Sequence, residues 1–375
     1  MPNDNETLYA VALTMAGRYF PQAVSALYNR AGSATAVYEC RRDIKVLMPD
    51  AAPRLATIVA SIDDLLPRAE AELQYNAAHG IDTFTPADAG YPSRLRDCAD
   101  SPVVLFARGT ASLNARHVIS IVGTRHATTY SRDAIHHFLT SLRAKCPDVL
   151  VVSGLAYGVD ILAHRESLDV GYDTVGVLAH GLDTIYPSAH RATASEMVEH
   201  GALLTEFPVR TNADKQNFVR RNRIVAGMSD ACILVESASK GGGLITAGMA
   251  RSYGREVFAF PGYVGRDYSE GCNRLIRDNR ATLLIGADDF VETMGWQTDK
   301  QLDQARRQGI ERQLFPELTD VEQRIVDCLS AEGDMHVNSL AAVSGLPVAQ
   351  ITSAAFSLEL KGVAKVLAGN VFHLL

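Results

Sequence analysis

Between about residue 100 and residue 290, short unbroken apolar runs alternate with longer stretches in which apolar positions return every three or four residues. The alternation begins near Val103 (VVLF) and is clear from Val118. Runs at Val118–Val122, Val149–Val152, Thr174–Ala179, Leu203–Glu206, Ala231–Val235, Val257–Phe260 and Thr282–Ile285 read as strands. An apolar run without polar alternation is the pattern of a parallel strand covered on both faces. With helices between most of them, the runs predict an α/β fold built on a doubly wound parallel sheet.

The flanks read differently. From Glu6 to about Asn76 the pattern is helical with short loops: LYAVALTMAG, then AVSALYNRAG ending at Gly32, then Ile62 to His79 closed by Gly80. This predicts a small all-α domain over residues 1–84. Its Gly17-Arg18-Tyr19-Phe20 turn fits a helix-hairpin-helix DNA module, and a structural or dimerising bundle at least as well. Turn residues from Thr85 to Pro92 lead into the sheet domain, residues 85–296. Residues 297–316, rich in Gln, Arg and Asp, read as a linker. Residues 317–375 follow as a third domain. There Thr319-Asp320-Val321-Glu322 has capping-box spacing ahead of an amphipathic helix. Two further helices, Val337–Ser344 and Val348–Lys361, and a hairpin from Val363 to Leu374 complete a winged-helix pattern.

Length and composition narrow the function. A chain of 375 residues, 47% hydrophobic, can bury more than one core. It lacks an apolar run of ~18 residues, and Met1 to Thr7 lacks a basic signal-peptide start, so a soluble cytoplasmic protein is expected. The six cysteines are scattered without a C-x-x-C pair, and neither zinc nor disulfides are expected. A net charge of -7 argues against indiscriminate coating of DNA, so any nucleic-acid site must be a focused pocket or groove.

One stretch concentrates the candidate chemistry. Lys215 to Arg223 (KQNFVRRNR) sets Phe218 beside Arg220, Arg221 and Arg223. Guanidinium forks fit phosphates, and a ring offers a face on which a base stacks. The same run also fits a helix whose arginines pair with acids of their own domain. The strand Ala231–Val235 then opens into Gly241-Gly242-Gly243 at a helix start, an arrangement that accommodates an anion. Other strands end in comparable turns: Gly123-Thr124-Arg125, Ser153-Gly154 and His180-Gly181. Because ligands of such sheets bind at the carboxyl ends of strands, these turns predict one anion-lined rim.

None of the turns is G-x-G-x-x-G or G-x-x-x-x-G-K-[ST], which disfavours a nicotinamide cofactor or ATP hydrolysis, and no cofactor is expected. Asp160 and His164, four apart on a helix, fit a local hydrogen bond better than an acid and base pair. Ser153 lacks the G-x-S-x-G context of a nucleophile.

Taken in order, IVGTR, SGLAYGVDILAH, GLDTIYP, LLTEFP, NFVRRNRIVAGMS, GGGLITA, FAFPG and GCNRLIRD closely resemble the DprA/Smf family of bacterial DNA-processing proteins over roughly Tyr91 to Trp296. The resemblance implies an extended Rossmann-like domain that binds single-stranded DNA, protects it from nucleases and helps load the RecA recombinase in natural transformation. It implies a homodimer through the sheet domain and no enzymatic activity. Carried over by motif, Gly123, Arg125, Ser153, Gly154, Lys215, Arg221 and Arg223 would meet the phosphate backbone, Thr124 would belong to the same DNA-binding site, Phe218 would stack on a base, and Gly242 and Gly243 would close the pocket floor. Where many relatives carry a lysine after the tyrosine-proline pair, this chain has Arg191.

The rival reading is a nucleotide-binding enzyme similar to the lysine-decarboxylase-like phosphoribohydrolases. Those carry a glutamate soon after the glycine turn, whereas Leu244 to Ala250 contains no acid. The winged-helix pattern resembles the C-terminal module of some family members, yet its recognition-helix segment offers Gln350, Thr352 and Ser353 rather than basic residues. A protein contact or a packing role ranks above duplex binding there.

Overall fold

A computed structural model describes residues 4–296, 318–367 and 370–374. The chain divides into two compact units, Met1–Trp296 and Gln297–Leu375. The expected linker, residues 297–316, lies outside the described residues.

The first unit opens with helices α1 (Asp4–Ala16), α2 (Pro21–Ala31), α3 (Ala34–Glu39), α4 (Pro53–Ala60) and α5 (Ile62–Ala78). Strand β1 (Asp82–Phe84), the single turn α6 (Ser93–Arg96) and β2 (Leu105–Gly109) lead into the alternating region. It runs β3 (His117–Val122), α7 (Thr129–Lys145), β4 (Val149–Ser153), α8 (Val159–Asp169), β5 (Thr174–Val177), α9 (Arg191–Glu199), β6 (Gly201–Thr205), α10 (Lys215–Gly227) and β7 (Ala231–Leu234). It continues with α11 (Gly242–Ser252), β8 (Glu256–Ala259), α12 (Glu270–Arg277), β9 (Thr282–Leu283) and α13 (Ala287–Thr293).

The nine strands form one sheet in the order β1-β2-β6-β5-β4-β3-β7-β8-β9. From β6 to β9 every neighbouring pair is parallel. The edge departs from the all-parallel expectation: β2 runs antiparallel to β6, pairing Ala107 with Leu204, and β1 runs antiparallel to β2. Strands β3, β4, β6 and β7 are buried along their whole length, as unbroken apolar runs require. The chain winds outward from β3 through β4, β5 and β6, then returns to place β7 on the other side of β3. That reversal opens a crevice beyond the carboxyl ends of β3 and β7, the usual ligand position in such sheets.

The N-terminal helices pack on the sheet. Leu13, Leu27 and Val59 share one apolar cluster with Val103, Phe106, Leu178 and Leu203. The backbone N–H of Val209, beyond β6, donates to Glu72 of α5 at 2.8 Å.

The second unit contains helices Asp320–Glu332, Val337–Ser344 and Val348–Leu360 and the strands Met335–His336, Ala364–Leu367 and Val371–Leu374. The last two strands pair antiparallel, the wing of a winged helix. The Val348–Leu360 helix exposes Phe356 and carries no basic residue. The capping box forms as spaced, with Thr319 and Glu322 bonding reciprocally. Glu322 also accepts from the Lys361 ammonium at 2.6 Å. Burial alone would raise this carboxyl, but hydrogen bonds from Lys361, Ser357 and Thr319 outweigh it and hold the group at about 2 against an ordinary 4.5. A depressed carboxyl pKa contributes stability above the unfolded value and loses it as pH falls toward the folded one. Glu322→Gln is therefore expected to destabilise the winged helix above pH 4.5, with the difference from the parent shrinking to nothing near pH 2. Parallel urea titrations across that range measure it.

Candidate functional site

The crevice at the strand reversal is a hollow of about 700 Å³. Three segments make its wall: the turn after β3, the first two turns of α10, and the glycine turn opening α11. Close approach of neighbouring segments explains Gly123 and Gly243, whereas a Cβ on Gly242 would meet nothing within 4 Å. A Cβ on Gly123 would lie 2.6 Å from a Val159 methyl and 2.8 Å from the Glu236 carbonyl oxygen, and one on Gly243 would lie 3.1 Å from the Gly123 Cα. The β3 and β7 turns are also tied by the Thr124 N–H donating to the Glu236 carbonyl at 2.6 Å. The Glu236 carboxylate in turn accepts from the N–H of Thr128 at 2.9 Å and the hydroxyl of Ser131 at 2.5 Å, fixing the start of α7.

Helix α10 begins at Asp214, whose carboxylate caps the Asn217 N–H at 2.8 Å. Its first turns therefore project Lys215 and Phe218 into the hollow. The Phe218 ring is partly exposed and has two guanidiniums near it: the Arg125 carbon is 5.1 Å and the Arg221 carbon 6.0 Å from its centroid. Exposed Tyr186 stands 6.0 Å from Phe218, centroid to centroid. First-turn N–H groups of α10 and α11 have no acceptor within their helices, and the helix dipoles add partial positive charge there. Arg125 and Lys215, both exposed, supply full charges.

Nine of the eleven residues named from the sequence line this hollow: Gly123, Thr124, Arg125, Gly154, Lys215, Phe218, Arg221, Gly242 and Gly243. Two do not. Ser153 is fully buried and donates its hydroxyl to the Ile121 carbonyl at 2.6 Å, so it braces β4 against β3 instead of facing a ligand. Arg223 is buried on the opposite face of α10 and pairs with Glu206 at 2.6 Å. Residues 221 and 223 lie about 200° apart around a helix, so both cannot face one hollow. Arg221 itself is only 3% exposed. Its guanidinium donates to the carbonyls of Gly154 and Val177 and approaches Asp160 at 3.9 Å. Burial lowers its pKa to about 10, still a cation at neutral pH. Arg221 thus clamps the Gly154 turn and lends charge from beneath, while Arg125 and Lys215 carry the exposed cations. Arg191, at the start of α9, is exposed and does not line the hollow.

Asp160 and His164 do not bond each other. Asp160 takes the Ala156 N–H at 3.4 Å, and burial raises its carboxyl above the usual range against the opposing pull of Arg221. His164 is buried and shares a 2.7 Å hydrogen bond with Thr174; burial, Arg221 and His190 push it down to about 3, leaving it neutral. Sequence reading missed Tyr268 and Ile245, which also line the hollow. Tyr268 is brought there by the Ser237 N–H donating to its carbonyl at 2.6 Å, a contact between distant segments that no local motif announces.

The model of DNA recombination-mediator protein A matches residues 82–295, and a DprA winged-helix model matches residues 311–370. Protein Smf of Escherichia coli is 35% identical over 298 residues, covering 76% of each chain. Among solved structures, DNA processing protein A from Streptococcus pneumoniae superposes with a TM-score of 0.61 at 28% identity, over 74% of this chain and 97% of its own. DNA processing protein A from Helicobacter pylori, described for its single-stranded DNA binding mode, gives 0.51 at 27% identity, over 57% and 95%. The chain belongs to the DprA/Smf family of DNA-processing proteins.

Proposed function

We propose that this chain is a noncatalytic protein that binds single-stranded DNA in the crevice between β3 and β7. The observation that carries the reading is the placement of Phe218 near Arg125 and Arg221 and beside two helix N-termini, which joins a stacking face to phosphate donors in one hollow. The single-strand binding described for the Helicobacter pylori relative supports it. Family membership extends the proposal: the strand is shielded from nucleases and passed to the RecA recombinase during natural transformation, by a cytoplasmic protein acting as a homodimer. Among the described residues, no single helix is long and apolar enough to cross a membrane.

The enzyme alternative would need a poised acid or nucleophile in the hollow. Asp160 is engaged by Arg221 and the Ala156 N–H, Ser153 is buried, and α11 supplies no acid in its first turns. A salt-titrated binding assay with single-stranded DNA, duplex DNA and a mononucleotide separates the two readings. Preference for the single strand is expected; preference for the mononucleotide, with turnover, would favour the enzyme. In the same assay Arg125→Ala and Lys215→Ala should each reduce the logarithmic salt slope by roughly 0.7, the share of one phosphate contact on a single strand. An unaltered slope would remove that residue from the backbone path.

A further inference from the structure

Helix α10 has a second hollow on its other side. It lies between the α1–α2 turn and the segment following β6, with a volume of about 310 Å³, near the ~300 Å³ lower bound of small-molecule sites. Three of the residues that line it each carry a buried polar atom without a hydrogen-bond partner: Nη1 of Arg223, Oε1 of Glu206 and Oγ1 of Thr14. Both Arg223 and Glu206 are more than nine-tenths buried. Nη2 and Oε2 of that pair bond each other at 2.6 Å, which leaves one donor of Arg223 and one acceptor of Glu206 unused. Buried groups left unpaired are costly, so this edge invites a ligand offering an acceptor and a donor. Every nucleobase has such an edge. The pair is internally neutralised, which disfavours a phosphate at this depth.

The mouth matches a base as well. Tyr19, a residue 61% exposed, lines the hollow, and the Arg18 guanidinium carbon lies 4.9 Å from its ring centroid. Asp214, at the start of α10, borders both hollows.

We propose that this second hollow is a base subsite for the same single strand, in which Tyr19 stacks on an unpaired base and Arg223 Nη1 with Glu206 Oε1 bond its edge. The inference rests on the function proposed above and adds a site on the helical segment. The test is photo-crosslinking of the full chain to an oligothymidylate carrying iododeoxyuridine, with adducts located by mass spectrometry, alongside affinities of Tyr19→Ala, Glu206→Gln and Phe218→Ala. Adducts are expected on Tyr19 as well as Phe218, with an affinity loss of about 5-fold or more for Tyr19→Ala. Glu206→Gln should lose affinity for the oligonucleotide too; because it disturbs a buried ion pair, the exposed Tyr19 variant decides if that protein does not fold. Adducts confined to Phe218, with Tyr19→Ala binding as the parent does, would overturn the subsite and leave the first hollow intact. Absence of adducts on both residues together with unchanged affinity of Phe218→Ala would overturn both readings.

Discussion

Phe218→Ala lowers the affinity for single-stranded DNA by about 1–3 kcal/mol, the usual worth of one base stacked on an aromatic ring. That is roughly 5- to 150-fold in dissociation constant. The expectation follows from the position of the ring. It is partly exposed, its neighbours Arg125 and Arg221 hold guanidiniums 5.1 and 6.0 Å from its centroid, and Tyr186 flanks it at 6.0 Å. A base laid on this face would have its phosphate within the field of Arg125 and Lys215. The loss should be similar across sequences, since every base has a π-face, and should leave the salt slope as in the parent, since no phosphate contact is removed. Fluorescence anisotropy with labelled oligonucleotides at several salt concentrations measures both quantities. A variant that binds as tightly as the parent would place the strand elsewhere.

Arg221→Ala acts on the fold before it acts on binding. Removing one partner of a buried charged pair costs about 3–5 kcal/mol, because the groups left behind stay out of water. Here those groups are the carbonyls of Gly154 and Val177 and the Asp160 carboxylate. Proton uptake by Asp160, whose carboxyl burial already raises, moderates the loss toward the lower figure. Arg221→Lys is expected to recover little, since one ammonium replaces a planar fork bonded to two carbonyls. The chain's single tryptophan, Trp296, is buried in the first unit with its ring 5.1 Å from Phe290, so its fluorescence reports unfolding of the sheet and not of the winged helix. An unchanged midpoint in denaturant would show that Arg221 does not hold the turn.

Legibility of the site followed chemistry that is local in sequence. Gly123 was readable because it follows a strand and precedes a helix, Gly242 and Gly243 because they open a helix just after a strand, and Phe218 with Lys215 because a ring and a cation three apart share a helix face. The arginine cluster was only half readable. The alternative of internal pairing applies to Arg221 and Arg223, which meet Asp160 and Glu206, while Arg125 from another segment supplies the exposed charge over the ring. Helical spacing could have separated Arg221 from Arg223, but only their surroundings show that both are buried.

The sequence by itself determined the alternation of buried strands and helices, the glycine turns at strand ends, the capping box at Thr319 and the family, since each depends on residues a few positions apart. The tertiary structure alone decided that β2 enters antiparallel beside β6, that Ser153 turns into the core, and that α10 lies between two hollows. Those outcomes depend on which distant surfaces meet. Residues such as Tyr19 and Glu206, nearly two hundred positions apart, acquire a shared environment only when the helical segment closes on the sheet.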